Sequence, residues 1–141
     1  FLGFIVFSIP LIMKEEKEIS FMLKRNNNEE ISFVVMGTIE KKEEYTRIVF
    51  DEPLKEKAKT AVDIYKDKVI LNRLGMIKTK IVFIPKEETT ISMRTKEGFE
   101  LEVLNYTKLF EKDDSSFHII YQSEADFKDN LEHDFTIKWS E

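Results

Sequence analysis

Residues 71–108 read LNRLGMIKTKIVFIPKEETTISMRTKEGFELEVLNYTK, and the alternation in this stretch decides the fold. Successive side chains of a strand face opposite sides, so a period of two marks a sheet with one buried face. Ile77, Thr79, Ile81 and Phe83 form one such face, with Lys78 and Lys80 on the other. After the turn Pro85-Lys86-Glu87 the series continues as Thr89, Ile91, Met93 and Thr95. After Lys96-Glu97-Gly98 it resumes as Phe99, Leu101, Val103, Asn105, Thr107 and Leu109. Folding these runs as hairpins sets Phe83 opposite Thr89, Ile81 opposite Ile91 and Met93 opposite Leu101. The apolar sets then meet in one register, and a slip of one residue would turn each of them to solvent.

The same reading extends in both directions. Ile19, Phe21 and Leu23 pair with Ile31, Phe33 and Val35 around the turn Arg25-Asn26-Asn27-Asn28, where Asn tolerates the positive φ that turns need. Gly37 and Ile39 prolong the second strand, and Thr46, Ile48 and Phe50 return after the turn at residues 41–44. Residues 51–59 are the longest break; Pro53 argues against a strand interior there, and at most one helical turn fits. Val62 and Ile64, then Val69, Leu71 and Arg73, form a hairpin around Asp67. Phe117, Ile119 and Tyr121, then Leu131, His133, Phe135, Ile137 and Trp139, form the last pair, joined by a polar loop at residues 123–130. This gives ten candidate strands and no convincing helix. The expected fold is all-β, an antiparallel up-and-down barrel of about eight to ten strands, whose closure removes aggregation-prone edges.

Several of these features carry a resemblance. Arg73-x-Gly75, the Gly98-Phe-Glu-Leu-Glu-Val run closing on Thr107-Lys108, and Phe117-x-Ile-x-Tyr121 resemble the YwiB-like proteins of bacteria, as does the spacing from Arg73 to Thr107. The resemblance covers about Glu18 to Trp139. It implies a calycin-like (lipocalin-like) β-barrel and a family of uncharacterised function.

A chain of 141 residues suits one domain with one core. Hydrophobic content of 42% and aromatic content of 12%, with twelve Phe, argue against disorder. With four Gly and three Pro, turns must rely on Asn, Asp, Lys and Glu. The absence of Cys excludes disulfides, thiol catalysis and thiolate metal sites, and it fits a cytoplasmic, reducing setting. A net charge of -5, with basic residues interleaved among acids, argues against nucleic acid as a partner.

Residues 1–13, FLGFIVFSIPLIM, carry no charge. As a helix they would span about 20 Å, short of a bilayer core. They lack the basic start and cleavage site of a secretory signal. We expect an apolar extension ahead of a single domain at 14–141, docked on the barrel or joining copies into a homo-oligomer. The alternative is the remnant of a leader or a membrane contact, which would make the protein exported or membrane-associated.

Parity also places polar groups inward. Arg73 shares its face with Val69 and Leu71, and a buried guanidinium needs a carboxylate, carbonyls or a ligand anion. No acid stands out on the inward faces, so Arg73 either reaches a loop carboxylate at the rim or holds an acidic head group. Asn105, Thr107, Tyr121 and His133 face inward as well. The expected pairing aligns Asn105 with Tyr121 and Leu131, and Thr107 with Ile119 and His133. Such a band is either an internal hydrogen-bond network or the polar end of an apolar pocket. In Glu132-His133-Asp134 both acids point away from His133, so the tripeptide is no local metal or catalytic unit. His118 faces outward, near Asp134. No nucleophile elbow, phosphate loop or zinc-protease motif occurs.

The sequence therefore points to a non-enzymatic barrel without cofactor or metal, binding a small amphiphilic or anionic ligand inside. Arg73, Asn105, Thr107, Tyr121 and His133 would meet the polar end, and Phe21, Phe33, Ile81, Phe83, Leu101 and Phe135 the tail. The second reading is a packed structural barrel that oligomerises through residues 1–13. An enzyme would need His133 and Arg73 to converge on a water-accessible site.

Overall fold

The computed structural model describes residues 13–140, so the reading of the apolar residues 1–12 lies outside the described part. Ten strands follow in chain order: β1 (Met13–Arg25), β2 (Glu30–Lys41), β3 (Tyr45–Asp51), β4 (Lys59–Tyr65), β5 (Val69–Leu74), β6 (Ile77–Phe83), β7 (Glu88–Thr95), β8 (Glu100–Lys112), β9 (Ser116–Ser123) and β10 (His133–Trp139). Each pairs antiparallel with its sequence neighbours, and β1 pairs with β10, which closes an up-and-down barrel. Met13, assigned above to the extension, is already the first residue of β1.

The expected register holds in the central meander: Ile81 faces Ile91 and Met93 faces Leu101. Inward positions carry the core. Ile19, Ile48, Val62, Val69, Phe117, Ile119 and Ile137 are fully or almost fully buried and fill the middle of the barrel. Phenylalanines occupy one side of it: Phe21 stacks on Phe33 with ring centres 4.6 Å apart, and Phe135 lies 5.2 Å from Phe21 and 5.3 Å from Phe117.

Turn chemistry matches the shortage of glycine. Asn28, Lys57, Lys86 and Asn130 take positive φ, and Gly98 adopts φ 92° in the β7–β8 turn. Gly37 has another role. A Cβ there would stand 2.7 Å from the Val49 carbonyl oxygen and 2.8 Å from Ile19, so only glycine lets β2 cross this closely against β3. Beyond that crossing the strands part: β2 pairs with β1 from residue 30 to 41, but with β3 only from Thr38 to Lys41.

Three expectations need correction. A bulge between Thr107 and Leu109 shifts the phase of β8, so Phe110 rather than Leu109 continues the inward face and packs on the core. The polar band is offset by two residues: Thr107 pairs with Tyr121 and Tyr121 with His133, while Asn105 pairs with Ser123. Leu131 precedes β10, in a connection that holds a short 3-10 turn at Glu124–Asp126. Alternation also ran past the barrel itself. Ile77, Phe99 and Leu101 keep the inward phase yet are exposed, because β8 has no β9 beside it before Asn105.

Candidate functional site

At the end of the barrel where β2 leaves β3, the interior is not filled. A cavity of about 210 Å³ is lined by Phe21, Leu23, Ile31 and Phe33 of the first hairpin, Leu71 and Ile81, and Phe83, Tyr121 and Phe135 deeper inside. Glu52, Leu54, Thr60 and Arg73 complete its wall. This volume exceeds the roughly 150 Å³ of an engineered apolar cavity that holds benzene, and falls short of the roughly 300–1,000 Å³ of drug-sized pockets. A larger recess of about 610 Å³ at the opposite end is lined by charges of both signs, among them Glu15, Lys17, Lys41, Lys112, Asp113 and Asp114, together with Ile39, Ile64 and Trp139.

The polar group at the cavity wall is an ion cluster. Arg73 Nε donates to Glu52 Oε2 at 2.9 Å and Nη2 to Glu52 Oε1 at 3.0 Å, while Nη2 also donates to Glu56 Oε2 at 2.9 Å. The Thr60 hydroxyl donates to Glu52 at 2.7 Å. Glu52 is buried, and these donors satisfy it. The hydrogen bond to Glu52 raises the Arg73 pKa against the effect of burial. Glu56 is held below the usual carboxylate range by the Met76 amide and by Arg73. One cation thus meets two carboxylates, leaving the cluster with one net negative charge. Nε and both Nη2 protons are engaged, so Nη1 remains to donate to a guest.

Glu52 corrects the expectation that no acid faces inward. Its parity follows directly from Ile48 and Phe50, and Thr60 precedes Val62 and Ile64 in the same way; both could be read from the alternation once the strands are extended by one step. Asp126 carries no such signal, because it sits in an irregular connection.

The other expected site residues separate into two groups. Tyr121 lines the cavity, packs edge-on against Phe83 with ring centres 5.0 Å apart, and stacks on His133 at 4.7 Å. Burial pushes its phenol pKa up, with the Asp126 charge adding to the effect. His133 stands behind it, outside the cavity lining: Nε2 lies 2.8 Å from Asp126 Oδ2, and Arg25 Nε donates to Nδ1 at 3.4 Å. With Arg25 donating to Nδ1, Nε2 is the ring nitrogen that donates to Asp126. Asp126 also accepts from the Ser123 amide and hydroxyl. Arg73 and His133 therefore do not converge. Asn105 and Thr107 are fully buried outside the cavity lining, with Asn105 Oδ1 and Nδ2 and Thr107 Oγ1 lacking a hydrogen-bond partner among the described residues. On the outer surface His118 Nε2 meets Asp134 Oδ1 at 2.6 Å, the contact expected from parity. No cluster of His, Cys, Asp and Glu suited to a metal occurs among the described residues.

With this geometry in place, the comparisons with known proteins can be read. A model described as a domain of unknown function, DUF1934, matches residues 17–137, from the strand that opens the barrel to the strand that closes it. The chain belongs to the DUF1934 family. The crystal structure of the ywiB protein from Bacillus subtilis is similar to this DUF1934 chain with a TM-score of 0.70 and 23% identity, over 89% of this chain and 92% of that one. That likeness establishes the fold. A search of curated proteins returned no match. Among the described residues of this DUF1934 protein no helix is long and apolar enough to cross a membrane.

Proposed function

We propose that the barrel is a receptor for a small, largely apolar molecule with a neutral hydrogen-bonding or cationic end, working without catalysis in the manner of a calycin-like (lipocalin-like) barrel. The observation that carries this reading is an apolar cavity at the end of the barrel whose polar wall is the hydrogen-bonded set Arg73, Glu52 and Thr60. Apolar lining with a few placed polar groups is the usual composition of small-molecule sites. An anionic head group, expected when Arg73 was read alone, is disfavoured because two carboxylates already neutralise the guanidinium. Arg73 Nη1 and the Glu52 carboxylate can meet a hydroxyl, carbonyl or ammonium instead. The volume limits the guest to a compact body rather than a long acyl chain. A cytoplasmic setting belongs to the same proposal.

Native mass spectrometry of gently purified protein, followed by titration with small alcohols, amines and fatty acids, tests it. Binding of compact neutral or cationic compounds in preference to fatty acids is expected. No co-purifying mass and no affinity for any of the three classes would overturn it.

A further inference from the structure

Closing the barrel leaves three stretches of five or more strand residues without a neighbour on one side among the described residues. On β1, residues 13–18 pair with β2 but run past the end of β10. On β8, residues 100–104 pair with β7, and β9 joins only at Asn105. On β2, residues 30–37 pair with β1, and β3 joins only at Thr38. An open edge is a template for another strand, and charged side chains are a common way of blunting it. Two of the three are blunted. Lys14, Glu15, Glu16, Lys17 and Glu18 line the first, and Glu100 and Glu102 the second. The third reads EISFVVMG, with no charge after Glu30 and no proline. Its outward side chains Val34 and Met36 are 58% and 60% exposed, and Met22 lies on the same outer face of β1.

We propose that this edge of β2 joins two copies of the chain, β2 pairing antiparallel with β2 of the second copy. Such a pair has a twofold axis normal to the sheet, which keeps inward residues inward, so the pairing must centre on a residue. The uncharged run from Ile31 to Gly37 is symmetric about Val34. Centred there, Val34 meets Val34 of the second copy, Phe33 meets Val35 and Ser32 meets Met36, while Gly37 already lies against Val49 and Phe50 of β3. The pairing ends where β3 takes over the edge at Thr38. Val34 and Met36 of both copies then merge into one apolar strip on the outside. No charge lies within the paired run, so the twofold brings no like charges together. The joint also stands beside the cavity, because Ile31 and Phe33 of the same strand line it.

Sedimentation velocity of the full chain across a concentration series tests the joint, with hydrogen exchange of the β2 amides as a second readout. A dimer is expected, with those amides at residues 31–36 that face away from β1 more protected as dimer forms. Val34→Lys sits on the outer surface and sets two ammonium groups together at the centre, so dimerisation should weaken about tenfold or more. Phe99→Lys, on another exposed rim, and removal of residues 1–12 should leave the dimer intact. A monomer at all concentrations, or a dimer that survives Val34→Lys but dissolves when residues 1–12 are removed, would overturn the assignment. Should Val34→Lys fail to fold, wild-type exchange decides alone: β2 amides facing away from β1 whose exchange does not slow with concentration rule the joint out.

Discussion

Arg73 and Glu52 face each other at the cavity wall as a bidentate pair, Nε to Oε2 at 2.9 Å and Nη2 to Oε1 at 3.0 Å. Glu52 is buried, so truncating Arg73 strands a carboxylate that only Thr60 would then serve. Removing one member of a fully buried pair costs about 3–5 kcal/mol; partial exposure of Arg73 reduces this, and Arg73→Met should cost about 1–3 kcal/mol. Adding Glu52→Gln to that variant should restore part of the loss. Urea titration followed by fluorescence of Trp139, the sole tryptophan, measures both. Additive losses in the double variant would contradict the pairing.

The Asp126–His133 contact makes a prediction about acid. Burial would raise the Asp126 pKa, but the Ser123 hydroxyl and amide, together with His133, more than offset it and hold the carboxyl below its usual range. A carboxyl with a depressed folded pKa stabilises the fold above its unfolded value, and that contribution disappears as pH falls through the folded one. Asp126→Asn should therefore cost about 1–3 kcal/mol at neutral pH and progressively less in acid. A pH-independent difference between the two proteins would exclude this role.

Asn105 and Thr107 call for the opposite kind of substitution. Thr107 Oγ1 is buried without a partner among the described residues, which leaves its desolvation uncompensated by them. Thr107→Val keeps the shape and removes the hydroxyl. Stability equal to the parent, or higher by up to about 1 kcal/mol, is expected in thermal unfolding. A loss above that range would mean that the hydroxyl has a binding role inside the barrel.

Phe83 is buried and lines the cavity. Phe83→Ala should destabilise by about 3–5 kcal/mol and enlarge the cavity, so that bulkier guests bind relative to the parent. Unchanged guest selectivity in a folded variant would place the binding elsewhere.

The architecture was legible because strand alternation is a strong local signal. Ile81, Ile91, Met93 and Leu101 fixed the central register before any contact was known. What parity cannot encode is a change of phase or a register set by a loop: the bulge at Thr107/Leu109 turns Phe110 inward, and the connection between β9 and β10 sets Tyr121 rather than Ile119 opposite His133. Alternation also says nothing of where the barrel ends, so Leu101 shares the phase of Val103 yet is 57% exposed. The site was half legible. Parity places Arg73 and Tyr121 on the inward face that lines the cavity, and Glu52 is within reach of the same rule. Asp126 and Glu56 act from irregular connections, where only the folded chain brings them to His133 and Arg73.

The receptor reading turns on whether the interior space accepts a guest of the stated kind. Methyl resonances of Leu23, Ile31, Leu71 and Ile81 line that space and can be followed by NMR during titration with a six-membered-ring alcohol, the matching amine and the matching carboxylate. The account predicts saturable shifts at these methyls with the alcohol or the amine, and weak or no shifts with the carboxylate. Silence at all four methyls, or tighter binding of the carboxylate, would contradict it.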